Sequence, residues 1–316
     1  MTLPPDAFLP PPEPSDPWDP TDLRVGQLLG RAVRSVEAAR IVLVGFPSDT
    51  GVRRNGGRPG AREAPRAIRE AFYRLTPDPR SGKAFTELLA HTFDLGDLRL
   101  KRTLEASQEH FGRLMAPLLR EGKLLVILGG GHETAYAHFL AYVHAEQSVH
   151  ILNWDAHADV RPLRDGKAHS GSPFRQALTH PSKRCRSYTV AGLLPHSVAP
   201  EHLHFLHEQH AHYVWRDALT ADRITDLYHQ AHAPLMVSFD LDAVDQAFAP
   251  GVSAPSIDGL DPEHWLQAAY EAGRCPAVRS IDLVECNPRL DRDRQTVRLA
   301  ALTLWTFFRG LAERIF

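Results

Sequence analysis

Cysteine is scarce in this 316-residue chain: Cys185, Cys275 and Cys286 are the three, an odd number without C-x-x-C spacing. That excludes a disulfide framework and a zinc knuckle, and it suits a reducing compartment. Charge of one sign is equally short, with 36 Lys and Arg against 38 Asp and Glu, a formal net charge of −2 and a pI near 6.8. Without a basic excess there is no electrostatic basis for sequence-independent phosphate binding, so nucleic acid is not an expected partner. Long hydrophobic runs are missing too, since no segment approaches the ~20 apolar residues that span a bilayer. The start, M-T-L-P-P-D-A-F-L-P-P-P, has neither the basic residues nor the continuous apolar stretch of a signal peptide. A cytoplasmic protein with no membrane contact is expected.

What remains is ordinary globular composition, 43% hydrophobic and 23% charged, enough for a sizeable core. Proline is the exception. Eight fall within residues 1–22, a density that argues against helix or sheet and for either an extended arm wrapping the body or a partner subunit, or a disordered tail. Residues 1–40 are read as this arm and a lead-in, and 41–316 as a single domain. Short apolar runs at 41–46, 124–128, 149–154, 235–239 and 280–284 alternate with helical spacing around 62–74, 105–120, 133–146, 261–273 and 296–312. The pattern predicts an α/β fold, a three-layer αβα sandwich on a mainly parallel sheet. Open parallel sheets bind ligands beyond the carboxyl ends of their strands, and there stand G-G-G-H-E (129–133), D-A-H-A-D (155–159), D-L-D (240–242) and E-C-N-P (285–288).

In D-A-H-A-D the metal-competent side chains of Asp155, His157 and Asp159 are spaced i, i+2, i+4, so an extended backbone would turn all three to one face; Asp240 and Asp242 repeat the i, i+2 spacing. With His132 the donors number four carboxylates and two imidazoles. That set is too large and too anionic for one catalytic zinc but suited to two divalent cations, and its oxygen-rich character favours manganese. A single Asp at a strand end more often caps the next helix; two dense clusters do not fit that account. Other motifs fail. H-E-T-A-Y has Tyr136 where a zinc-protease helix needs its second histidine, and the G-G-G run lacks the Gly-Lys-Ser/Thr of a phosphate-binding loop. Its glycines are expected to let the backbone turn sharply before His132. The histidine-rich stretch 202–212 reads as a solvated helix face.

The ordered motifs G-G-G-H-E, D-A-H-A-D and S-F-D-L-D-A-V-D-Q-A-F-A-P-G resemble those of the ureohydrolase, or arginase-like, superfamily, over about residues 41–312. The resemblance implies two manganese ions per chain, one on His132, Asp155, Asp159 and Asp240, the other on Asp155, His157, Asp240 and Asp242. It further implies that Glu285 receives the amidinium or guanidinium group, that Asp159 and His169 handle protons for the leaving amine, and that the chain assembles as a trimer or hexamer. Two cations on one water would supply hydroxide near neutral pH, which an inert amidine requires.

The superfamily acts on several substrates, so neighbouring residues must choose. Arg161 stands where arginases carry an asparagine that contacts the substrate carboxylate, and a guanidinium there offers a charged, bidentate grip. Segment 191–198, A-G-L-L-P-H-S-V, has no acidic residue for a substrate ammonium. Together with G-V-R-R-N-G-G-R-P-G-A and H-S-G-S-P-F-R-Q, these features look most like the formimidoylglutamase branch, implying a small anionic amidine, N-formimidoyl-L-glutamate, cleaved to glutamate and formamide. Asn55, Arg54, Arg58 and Arg175 are further candidates for holding it. The alternatives are another ureohydrolase that releases urea, such as an agmatinase, an arginase or a guanidino-acid hydrolase, and a catalytically silent metal-binding protein.

Overall fold

The structure, a computed structural model, describes residues 3–14 and 21–314. Among these, nine strands form one sheet: β1 (Phe8–Leu9), β2 (Ile41–Phe46), β3 (Thr92–Leu98), β4 (Leu124–Gly129), β5 (Val149–Trp154), β6 (Cys185–Leu193), β7 (His212–Trp215), β8 (Leu235–Asp240) and β9 (Val278–Val284). Their order is β1-β3-β2-β4-β9-β8-β5-β6-β7. Every pairing is parallel except that of β1 with β3.

Alternation along the strands feeds two cores. Ile41, Leu43, Val126, Leu128, Val237 and Phe239 pack on one face against the helices Ala64–Tyr73, Pro262–Arg274 and Gln295–Leu311. Val42, Val44, Leu125, Ile127, Ile151 and Val190 pack on the other, under Leu104–Arg120, Thr134–Ala145 and Pro200–Glu208. Parallel strands need this double cover, which is why their sequences are near-continuous apolar runs. The expected αβα sandwich is the fold observed. Among the described residues no helix is long and apolar enough to cross a membrane.

The expectation that the proline-rich start forms neither helix nor sheet is corrected where it can be seen. A three-residue 3-10 turn, Pro5–Ala7, leads into β1, where Phe8 and Leu9 pair with Leu98 and Asp97. A pair of residues free of proline suffices at a sheet edge, where proline on either side removes no interior ladder bond. Phe8 and Ala7 are buried, so this part of the arm lies on the body; residues 15–20 are outside the described ones. The lead-in adds Val25 and Leu28 to the first core.

One buried ion cluster ties helix Ala64–Tyr73 to β3. Arg69, wholly buried, holds Asp94 at 2.9 Å and also Asp97, and donates to the Gly96 carbonyl at 2.9 Å. Removing one partner of a buried charge group leaves the others uncompensated. Arg69→Ala is therefore expected to cost about 3–5 kcal/mol of unfolding free energy, measured by urea titration; a loss within the error of the titration would show that the cluster contributes nothing.

Candidate metal centre

At the carboxyl edge of the sheet the chain turns sharply four times, and each turn delivers ligands. Asp155 follows β5, and its Oδ1 accepts from the His157 amide at 2.6 Å; Asp240 ends β8, and its Oδ1 accepts from the Asp242 amide at 2.8 Å. Convergence thus comes from carboxylate-closed turns, not from the extended backbone that the i, i+2 spacing predicts. Asp242 lies in a 3-10 turn, Leu241–Ala243, and Asp159 has φ +46°. Glu285, just past β9, has φ +63°. A left-handed backbone is costly for an acidic residue and persists where the surroundings over-determine it; here it aims two carboxylates into one cavity.

The glycines before His132 act differently from expectation. None of Gly129, Gly130 and Gly131 has a positive φ. A Cβ on Gly130 would lie 1.9 Å from the Ser48 carbonyl oxygen, and one on Gly131 would lie 2.2 Å from Glu133 Oε2. Close approach, not freedom to turn, requires them. Glu133 then accepts from Ser48 Oγ at 2.9 Å and the Gly51 amide at 2.7 Å, locking the segment that carries Asn55 to this turn. Burial pushes the Glu133 carboxyl up to about 7, against those two donors.

At the centre, His132 Nδ1 faces oxygens of Asp240 at 2.8 Å, Asp159 at 2.9 Å and Asp155 at 3.3 Å, and it makes no hydrogen bond to any of them. His157 Nδ1 lies 3.3 Å from Asp242 and 3.4 Å from Asp155. Two groups of ligand atoms result, His132–Asp155–Asp159–Asp240 and Asp155–His157–Asp242, each within 4.8 Å. Asp155 is common to both; Asp240, expected to be shared as well, joins only the first. Burial alone would lower the His132 imidazole, but Asp240, Asp155 and Asp159 hold it well above its usual range. Burial, then the charges of Asp242 and Asp155, push Asp240 well up. Burial, then Asp242 and Glu133, do the same to Glu285, whose Oε1 accepts from the His132 amide at 2.7 Å.

Above these ligands opens a cavity of about 300 Å³ whose wall includes Asp159, Asp240, Asp242, His157 and Glu285. Of the candidate substrate contacts, Arg161 and Asn55 reach it, joined by an Arg161 Nη1 to Asn55 Oδ1 bond of 3.3 Å. Arg54, Arg58 and Arg175 are absent from the wall, because each guanidinium is spent on the scaffold. Arg54 bonds Glu105 and the Ala168 carbonyl, and Arg58 bonds the carbonyls of Val252 and Ser253. Arg175 bonds the Val160 carbonyl and lies 3.8 Å over the Phe205 ring.

His169 also misses the wall. It is buried, its Nδ1 accepts from the Gly171 amide at 3.2 Å, and its Nε2 is 2.9 Å from the Pro162 carbonyl, so its ring braces the loop 161–171 with no nitrogen free to carry protons. Its neighbour Ser170 is the one that lines the cavity, bonded to Asn55 at 3.2 Å. Sequence reading missed Ser170, Ser197, Ser253 and His202. The last belongs to the histidine-rich helix Pro200–Glu208: His204 and His207 are exposed as expected, whereas His202 is half-buried against the cavity. Its only advance signal was its place on the inner side of an otherwise solvated helix.

The family profile of the arginase family matches residues 39–309. Formimidoylglutamase of Geobacillus kaustophilus (strain HTA426) is 36% identical over 283 residues, covering 86% of this chain and 84% of that protein. The solved structure of Trypanosoma cruzi formiminoglutamase with Mn2+2 superimposes with a TM-score of 0.82 at 29% identity, covering 93% of this chain and 99% of that one. Proclavaminate amidino hydrolase from Streptomyces clavuligerus gives a TM-score of 0.74 at 25% identity, covering 87% and 92%. With three ordered motifs folded into one buried ligand cluster at the sheet's carboxyl edge, the chain belongs to the arginase family.

Proposed function

We propose that the protein is a binuclear-manganese hydrolase that cleaves N-formimidoyl-L-glutamate to L-glutamate and formamide. The observation that carries the metal is the unpartnered His132 Nδ1, buried among three carboxylates. Buried acids and an aimed imidazole lone pair fit divalent cations, and little else compensates such a set. His132, Asp155, Asp159 and Asp240 would hold one ion; Asp155, His157 and Asp242 would hold the other. Bound there, the ions supply Lewis acidity that activates a water as nucleophile near neutral pH.

The chain's own groups do the rest. Glu285 accepts hydrogen bonds from the amidinium, whose positive charge favours the ionised carboxylate that burial otherwise opposes. That fixes the amidine carbon over the ligand cluster. Asp159, at the cavity wall, is placed to pass a proton to the departing nitrogen. At the mouth Arg161 is the one lysine or arginine among the wall residues, and it suits a substrate carboxylate. His202 stands near it, its imidazole lowered by burial and then by the Arg161 charge, so that near pH 7 it is a neutral hydrogen-bonding group. Segment 191–198 contributes Ser197 and no acid, consistent with a substrate lacking a free ammonium. The substrate follows from the similarity to formimidoylglutamases together with this anion-accepting mouth. A trimer or hexamer and a cytoplasmic setting belong to the proposal on the family resemblance.

Three outcomes are expected. The manganese-loaded protein, given a panel of formimidoylglutamate, agmatine, arginine and guanidino acids, releases formamide and glutamate from the first; urea from a guanidino acid, with no turnover of formimidoylglutamate, would transfer the assignment to a urea-releasing relative. Arg161→Ala loses about 10–100-fold in kcat/KM, the equivalent of the ~1.5–3 kcal/mol of a hydrogen bond to a charged group, mainly through KM.

Chelation lowers Tm, and by more at pH 8 than at pH 5. In the metal-free chain Asp240, Asp242 and Glu285 are raised, so the unfolded chain releases their protons first and stability falls as pH climbs above the ordinary carboxyl range. His132 and His157, raised as well, contribute stability below the ordinary histidine value and lose it as pH rises through their folded values. Asp155 is lowered, so its contribution is complete by pH 5 and constant above. Cation binding needs these aspartates and histidines deprotonated and gains in the same direction. A Tm difference that is flat across this range, by scanning calorimetry, would count against a metal in this cluster.

A further inference from the structure

One buried polar chain runs away from the metal centre, and neither catalysis nor substrate recognition uses it. His132 Nε2 lies 2.9 Å from Ser238 Oγ, and the Ser238 hydroxyl donates to Asp282 Oδ1 at 2.5 Å. The other Asp282 oxygen is 2.6 Å from His138 Nδ1. His138 Nε2 is 2.5 Å from Ser280 Oγ, which is 2.6 Å from the Tyr142 hydroxyl. Ser238 and Asp282 are register partners on β8 and β9, while His138 and Tyr142 sit one turn apart on helix Thr134–Ala145. None of the six is more than 1% exposed.

The directions of the bonds at Ser238 are determined. Asp282 Oδ1 accepts from the Ser238 hydroxyl, and its Oδ2 faces His138 Nδ1 on the other side. Ser238 Oγ, with its proton committed, must accept from His132 Nε2–H. That fixes His132 in the Nε2–H tautomer and leaves the Nδ1 lone pair pointing at Asp155, Asp159 and Asp240, as a metal ligand must. A carboxylate buried without Lys or Arg is a costly way to fill a core, where apolar side chains of the same volume serve better. His157 has no such backing: a quarter of its side chain is exposed, and among the described residues no protein group bonds its Nε2.

Resting on the two-cation reading above, we propose that the His138–Asp282 pair is a positioning assembly that, through Ser238, orients His132 and raises its basicity toward the one cation that His132 holds. The two metal positions therefore differ in how their histidines are held.

The test is manganese titration of the chelated full chain by calorimetry, with electron paramagnetic resonance counting free ion, on wild type, His138→Leu, His138→Asn, Ser238→Ala and the Ser238→Ala/His138→Leu double variant. Wild type is expected to bind two ions with separable affinities; binding of fewer would fail the two-cation reading itself. His138→Leu should weaken one ion by about 10–100-fold, the usual effect of losing an outer hydrogen-bond partner, and leave the other within a few-fold. His138→Asn keeps a donor at the Nδ1 position and should restore most of that affinity. Once Ser238→Ala has cut the link, His138→Leu should cost nothing further, a coupling that a purely structural role would not produce. If wild type binds two ions, then equal affinities in His138→Leu, equal weakening of both ions, or additive losses in the double variant each overturn the proposal. Should His138→Leu fail to fold by circular dichroism, Ser238→Ala decides alone, and unchanged affinity there overturns it.

Discussion

Four carboxylates and two imidazoles cannot share a water-poor pocket at neutral pH without something positive between them. Each buried carboxylate carries a desolvation cost of several kcal/mol, and Asp155, Asp240 and Asp242 stand close enough to add mutual repulsion, visible in the upward displacement of Asp240 and Asp242. The convergence of three of these groups on His132 Nδ1 is the constraint from which the rest of the site follows. It explains why the strand ends break into tight turns, why Asp159 and Glu285 hold left-handed backbone, and why three glycines precede His132: each arrangement brings a polar group to one point at the expense of local comfort.

The structure divides labour by distance from that point. Closest in are the groups of the ligand cluster, His132, Asp155, His157, Asp159, Asp240 and Asp242. Farther out on the cavity wall, Arg161, Asn55, Ser170 and His202 stand on three separate segments. Arg54, Arg58 and Arg175 are braces. Arg54 fastens the 161–171 loop to helix Leu104–Arg120 through the Ala168 carbonyl and Glu105, Arg58 fastens 252–253, and Arg175 fastens the end of D-A-H-A-D to the helix that carries His202.

Behind the cluster the polarity continues inward. Asp282 and His138 are each as buried as any leucine of the core, and the bonds converge on Asp282: the metal-facing histidine bonds Ser238, whose hydroxyl donates to one Asp282 oxygen, while His138 sits on the other. One of the two imidazoles is thereby held by the interior of the protein, and the other by the pocket alone.

Legibility in the sequence tracked the range of the physics. Strands β2, β4, β5, β8 and β9 and the five long helices were readable because burial imposes periodicity on contiguous residues, and the metal-competent residues because strand-end motifs are short and chemically unambiguous. Elements as short as β1, β7 and the helix Thr50–Arg54 have too few residues for a periodicity to show. His169 and the guanidiniums of Arg54, Arg58 and Arg175 lie off the cavity wall, since residue type says what a group can bind and not what it has already bound. Ser170 and His202 were missed for the converse reason, being ordinary residues brought to the cavity wall by where two loops and a helix meet. By itself, then, the sequence determined the layered α/β architecture, the ligand types and the reaction class, all of which depend on local pattern and donor chemistry. Only the tertiary structure decided which polar groups face the cavity, that Asp155 and not Asp240 is common to both ligand groups, and which tautomer His132 presents, because these depend on hydrogen bonds between residues 15 to 153 apart in the chain, which no local pattern encodes.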